Sequence, residues 1–258
     1  MNKLFAGLAL ATAMFSATAA LAAPVKPTVV LVHGAFADSS SWNGVVRILE
    51  KDGYPVIAAS NPLRTLKGDA QSVADVLKSV KTPVVLVGHS YGGGVISEAA
   101  YGNANVKALV YVAAFAPEAG ESSADLAGRF PGNTLGPTLA PPVELADGGK
   151  DLYIQQDKFH DQFAADVSNA DARLMAATQR PVTVAALNEA SSEPAWKTVP
   201  SYFVYGDKDK NIPAQALAFM AERAHSQKTV VVKGASHVVM VSNPKAVASL
   251  IETAATAR

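Results

Sequence analysis

Six short runs of β-branched and aromatic residues, each almost continuously apolar, are separated by longer stretches in which apolar residues recur at helical spacing. The runs are Thr28 to Val32, Val56 to Ala58, Val84 to Val87, Ala108 to Val112, Tyr202 to Tyr205 and Thr229 to Val232. A strand that alternates apolar and polar residues has one wet face, whereas one that is apolar throughout is expected to be covered on both. Helices are expected at Trp42 to Lys51, Gly68 to Ser79, Gly93 to Tyr101, Ala214 to Ala224 and Pro244 to Ala254. In the first of these, Trp42, Val45, Val46 and Leu49 form the apolar stripe and Gly53 is placed to end it. Strand and helix in alternation predict an α/β fold, a mostly parallel sheet with helices on both faces.

One segment breaks the rhythm. Residues 117–200 contain no run that reads as a strand and begin with a loop rich in Gly and Pro. Helical stretches follow near Leu152 to Val167 and Asp171 to Thr178. Because a structureless loop of that length is uncommon inside a domain, the segment is expected to be a partly helical cap over one end of the sheet. Ahead of the pattern, Met1 to Lys3 is positive, Leu4 to Phe15 is apolar, and Ala20-Leu21-Ala22 is a small-residue cleavage signature. Residues 1–22 are therefore expected to be a secretory signal peptide and 23–258 a single domain. Cleavage after Ala19 is the weaker alternative. The apolar run is shorter than the ~20 residues of a spanning helix, so no stable membrane anchor is expected and export to the periplasm or medium is.

Lys plus Arg equals Asp plus Glu at 22 each, which leaves no field to attract nucleic acid. The absence of cysteine removes disulfides, thiolate metal sites and a Cys nucleophile. A nucleophile must come from elsewhere. Gly88-His89-Ser90-Tyr91-Gly92 lies directly after one strand and directly before a helical run, the context in which a serine is exposed on a sharp strand-to-helix turn. A phosphate-binding loop is disfavoured because no Gly-Lys-Ser/Thr pattern follows. Ser90 needs a base. Of five histidines, His237 alone follows the last strand and precedes the last helix, at the edge of the sheet shared with Ser90. His33 is expected to brace its loop, His89 to pack beside the turn, His160 to lie in the cap and His225 to end a helix.

The base in turn needs a carboxylate to fix its tautomer. Asp209, in the loop after Tyr202 to Tyr205, is preferred over Asp207, which is suited to capping that turn, and over the more distant Glu118. The order nucleophile, acid, base is that of the α/β-hydrolase arrangement. Donors for a developing oxyanion are expected from the amide of Tyr91 and from the loop after the first strand, at Ala35 or alternatively Phe36. Phe36, Trp42, Tyr91, Phe159 and Trp196 are candidates for an apolar pocket, with Phe36 and Trp196 taken as substrate-binding.

The blocks VLVHGAFADSSSW, LVGHSYGG, YVAAFAPEAGES, PAWKTVPSYFVYGDKDKNIP and GASHVVMVSNP resemble α/β-hydrolase-fold esterases, in the branch that also holds plant methylesterases and hydroxynitrile lyases. They run in the same order from Thr28 to Pro244. The resemblance implies a catalytic triad of Ser90, Asp209 and His237, an oxyanion hole from the amides of Ala35 and Tyr91, a small-molecule ester as substrate and no cofactor. Hydroxynitrile lyases carry a threonine after the first-loop histidine and a lysine after the catalytic one; here Gly34 and Val238 stand there, which disfavours lyase chemistry. An aspartate at the turn would mark a dehalogenase, and Ser90 is not one. A carboxylesterase-type serine hydrolase is the leading expectation. Cofactor-free perhydrolysis, carbon-carbon bond hydrolysis with the same triad, and a ligand-binding protein that retains the pocket are the alternatives.

Overall fold

The computed structural model describes residues 25–257. The signal-peptide expectation falls outside them. The chain enters through β1 (Thr28–Val32), crosses through α1 (Asn43–Lys51) to β2 (Val56–Ala59), and returns by α2 (Leu66–Ser79) to β3 (Val84–His89). Then come α3 (Gly92–Ala99) and β4 (Val106–Val112). The segment that follows holds α4 (Ser123–Gly128), β5 (Val143–Glu144), β6 (Lys150–Leu152), α5 (Gln156–Phe163), α6 (Asn169–Thr178), β7 (Val182–Thr183) and α7 (Val184–Asn188). The sheet resumes with β8 (Ser201–Gly206), α8 (Ala214–Arg223) and β9 (Lys228–Val232), and the chain ends in α9 (Val239–Ser242) and α10 (Pro244–Thr256).

Every pairing in the main sheet is parallel, and the strand order is β2-β1-β3-β4-β8-β9. The first crossover goes from β1 to one side and the next connection brings β3 to its other side. Strand order therefore reverses between β1 and β3, and a crevice opens where their carboxyl ends part. Val29 to Val32 and Val84 to Val87 are essentially inaccessible to water, as their unbroken apolar character requires. Each such side chain contributes about 1.5–3 kcal/mol by leaving water. The edge is different: Lys228, Thr229 and Val231 of β9 are exposed, contrary to an expectation of two covered faces. An apolar run does not reveal whether a strand has a neighbour on each side.

Helix boundaries follow local chemistry. In α1, Val45 and Leu49 are buried together with Trp42, while Val46 is half-buried at the margin of the stripe. Gly53 adopts φ +78°, and the N–H groups of Gly53 and Tyr54 donate to the carbonyls of Glu50 and Leu49. The left-handed residue closes the last turn and frees the chain to enter β2.

Residues 117–200 form a cap, but not one free of strands: β5, β6 and β7 make a small antiparallel sheet. Two- and three-residue strands are too short for any periodicity to show. The cap is tied to the main sheet by Arg64, whose Nη1 donates to Asp151 Oδ1 at 2.7 Å and whose Nη2 donates to the Pro181 carbonyl at 2.9 Å. Among the described residues no helix is long and apolar enough to cross a membrane.

Candidate active site

Ser90 stands between β3 and α3 with φ +55°, a left-handed conformation that costs a non-glycine residue of order 1 kcal/mol or more and is kept only where surroundings enforce it. Here they do. Its N–H donates to the Val112 carbonyl, and its own carbonyl accepts from Gly93 and Phe115. Locked in this turn, the hydroxyl projects from the carboxyl edge of the sheet.

The loop after β9 brings His237 to the same edge, with Nε2 2.9 Å from Ser90 Oγ. The loop after β8 brings Asp209, whose Oδ2 lies 2.7 Å from His237 Nδ1. The other oxygen of Asp209 accepts from the amides of Asn211 and Ile212 at 2.8 and 2.9 Å. Both side chains are almost wholly buried. A carboxylate so enclosed holds the proton of the imidazole on Nδ1 and leaves Nε2 as an acceptor facing the serine. Asp207 turns away and accepts from the Gly234 amide at 2.6 Å. Glu118 pairs with Lys197. Neither reaches His237.

Two amides beside Ser90 have no hydrogen-bond partner among the described residues, those of Ala35 and Tyr91. The amide of Phe36, the alternative donor, is engaged by the Arg180 carbonyl at 3.0 Å. Gly34 lets this loop lie against Ser90: a Cβ there would come within 2.6 Å of both the His89 carbonyl oxygen and Ser90 Cβ, and within 3.2 Å of the Tyr91 nitrogen.

A narrow, mostly apolar cleft opens onto Ser90 and His237. Phe36 and Tyr91 line it. Trp196, expected to bind substrate, is not among the residues lining this cleft: its indole N–H donates to the Pro117 carbonyl at 2.8 Å and its ring lies beside Arg223, so it buttresses the start of the cap. Trp42 and Phe159 are fully buried in the core. Phe163, which the sequence did not single out, lines the cleft with its ring perpendicular to that of Phe36 and 5.0 Å from the ring of His237. Nothing in a cap helix marks it in advance. Asp69 did carry a signal, a carboxylate on the apolar face of α2 between Leu66, Ala70 and Val73. It accepts the Tyr91 hydroxyl at 2.8 Å and the Arg64 amide at 3.1 Å, joining the nucleophile turn to the cap anchor.

The remaining histidines take the supporting parts expected of them. His33 accepts the Asn61 amide on Nε2 and donates from Nδ1 to the Gly34 carbonyl, both at 3.0 Å. His89 donates from Nε2 to the His237 carbonyl at 3.2 Å, with its ring 4.7 Å from that of His237. His160 bonds the Val167 carbonyl within the cap. His225 follows α8 with φ +47°.

Burial lowers the pKa of His33 and lowers that of His89 well below its ordinary 6.5. At pH 7 both are therefore neutral in the native state, which spares His237 a charged neighbour. The consequence for stability has a definite sign. Below pH 6.5 the unfolded chain binds protons at these positions that the native state refuses, so stability falls as pH drops from 6.5 toward the depressed native values. Each histidine contributes a slope of up to about 1.4 kcal/mol per pH unit. Burial raises the Asp69 carboxyl above 3.8, which gives an opposite slope at lower pH. The comparison is therefore made against His89→Gln. The fall in Tm between pH 7 and pH 5 is expected to be shallower in the variant, and equal slopes would refute the assignment of His89.

The sequence profile of the alpha/beta hydrolase family matches residues 29–250. An alpha/beta hydrolase of Aspergillus novofumigatus, nvfD, is 27% identical over 90% of this chain and 97% of its own. An alpha-hydroxynitrile lyase of Arabidopsis thaliana is 26% identical over 84% of this chain and 92% of its own. Among solved structures, polyneuridine aldehyde esterase superposes with a TM-score of 0.77 at 20% identity, covering 88% of this chain and 98% of that one. At that identity the likeness speaks for the fold alone.

Proposed function

This chain belongs to the alpha/beta hydrolase family, and from that premise we propose that it is a serine hydrolase of carboxylic esters. Ser90 Oγ attacks the ester carbonyl carbon as its proton passes to His237 Nε2. The oxygen that becomes negative is met by the amides of Ala35 and Tyr91. Collapse of the tetrahedral intermediate expels the alkoxide, which takes the proton from His237, and leaves the acyl group on Ser90. Water then gives a proton to His237 and attacks the acyl carbon, and Ser90 departs with that proton. Asp209 holds the imidazole in register and stabilises the imidazolium formed in each half-reaction.

The observation that carries this reading is the unbroken chain from Ser90 Oγ through His237 to Asp209, at 2.9 and 2.7 Å, beside two unengaged amides. The lyase activity named for the Arabidopsis relative is not carried over. Val238 is an aliphatic residue with no exposed surface, and Gly34 has no room for a side chain. Nitrophenyl and methyl esters of increasing acyl length, run beside a fluorophosphonate probe, test the proposal. Turnover is expected for short acyl groups that fit the narrow cleft and to fall for long chains. A protein labelled at Ser90 that turns over none of them would refute ester hydrolysis and leave the nucleophile in place.

Gly34→Ala is a sharper probe of the oxyanion site. Its Cβ would push the loop from Ser90, so kcat is expected to fall by about 10²–10³, the loss typical of one oxyanion donor. Labelling at Ser90 slows but persists. Retention of full kcat would show that the amide of Ala35 takes no part.

A further inference from the structure

We propose that Ser123 is a specificity-determining residue of the cleft, selecting esters in which one uncharged arm carries a hydrogen-bonding oxygen. The proposal rests on the ester reading above. Ser123 opens α4, directly after Ser122, and lines the same cleft as Ser90 and His237. Its neighbour is committed: Ser122 caps the helix by accepting the Asp125 amide and donating to the Asp125 carboxylate. Ser123 is 6% exposed, and its hydroxyl has no hydrogen-bond partner among the described residues.

The other polar lining groups each make hydrogen bonds within the protein. Asn133 donates to the Ala127 carbonyl and accepts the Leu135 amide. Asn211 accepts from the Gln162 side chain and donates to the Gln162 carbonyl. The Tyr91 hydroxyl is held by Asp69. Beyond the reacting groups, Ser123 is thus the one polar lining side chain that makes no hydrogen bond to another described residue, the two asparagines each holding one amide hydrogen in place. The Ser123 oxygen is not sealed inside the protein but keeps access to the cleft, where a substrate oxygen can take the place that water otherwise fills. The rest of the lining is apolar or amide, and no Asp, Glu, Lys or Arg contributes to it. A charged arm would be desolvated with no counter-charge, whereas an ether, ketone or hydroxyl oxygen needs only the one donor.

The test uses pairs of esters of equal shape. Methyl pentanoate is compared with its isosteres in which an ether oxygen replaces the methylene at C3 or at C4, which leaves the ester carbonyl intact, and butyl acetate with methoxyethyl acetate covers the alcohol side. In the wild-type protein the ratio of kcat/KM, ether over hydrocarbon, is expected to exceed that of Ser123→Ala by about three- to tenfold at one position or more, as one neutral hydrogen bond allows. Ser123→Thr, which keeps the hydroxyl, is expected to restore the preference. Methyl ketones with the same chains are scored by their protection of Ser90 from a fluorophosphonate and by the rise in Tm they cause, neither of which requires turnover. If no ester is cleaved, the ester reading falls and the ketone ratios decide on Ser123 by themselves. Ratios equal in wild type and Ser123→Ala, in every pair and both assays, would overturn the proposal.

Discussion

Ser90→Ala is expected to abolish labelling by a fluorophosphonate and to lower ester turnover by about 10⁶-fold, the size of loss seen when a serine hydrolase is deprived of its nucleophile. What activity remains comes from the oxyanion donors and from substrate binding. The backbone supplies a second, independent readout. Alanine keeps the unfavourable φ of +55° at this position, whereas glycine adopts it freely. Ser90→Gly is therefore expected to be as inactive as Ser90→Ala but to unfold at a higher temperature. The pair separates chemistry from conformation. Undiminished labelling of Ser90→Ala would remove Ser90 as the nucleophile, and equal Tm values for the two variants would remove the claim that the turn stores strain.

The parts of this fold legible in the sequence are those whose cause is local. Thr28 to Val32 is apolar throughout because it is covered on both faces, and Gly53 ends α1 because the chain there needs a left-handed residue. The three candidate site residues were findable for a related reason. Ser90, Asp209 and His237 each follow the carboxyl end of a parallel strand, and parallel strands gather those ends on one edge whatever the intervening sequence. What was illegible depends on partners distant in the chain. Val182–Thr183 becomes a strand only because Asp151 and Leu152 lie alongside it. Trp196 has the character of a pocket wall, yet its N–H is drawn to Pro117, a choice made by the path of the cap. Phe163 and Ser123 reach the cleft by the same route, from elements whose docking no spacing encodes. Val231 looks like a core residue and stands on an open edge, 52% exposed.

Asp209 and Asp207 lie two residues apart, and their amide variants are expected to differ by orders of magnitude. The separation follows from where each carboxylate is directed. Asp209 accepts the amides of Asn211 and Ile212 on one oxygen and His237 Nδ1 on the other. In Asp209→Asn the side-chain oxygen can keep the two backbone donors, so the loop and the fold are retained. The amide nitrogen then faces Nδ1 and donates, which forces the imidazole proton onto Nε2, the atom that must accept from Ser90. The imidazolium also loses its buried counter-charge. A loss of about 10⁴ in kcat is expected, as when the orienting aspartate of a serine protease becomes asparagine. Asp207→Asn retains an oxygen for the Gly234 amide and touches no reacting group, so its kcat is expected to stay within a few-fold of wild type. The check is kcat for both variants on one ester, with circular dichroism and Tm to show that each is folded. A reversed order in two folded variants would transfer the orienting role to Asp207, and the pairing of Ser90 with His237 would stand.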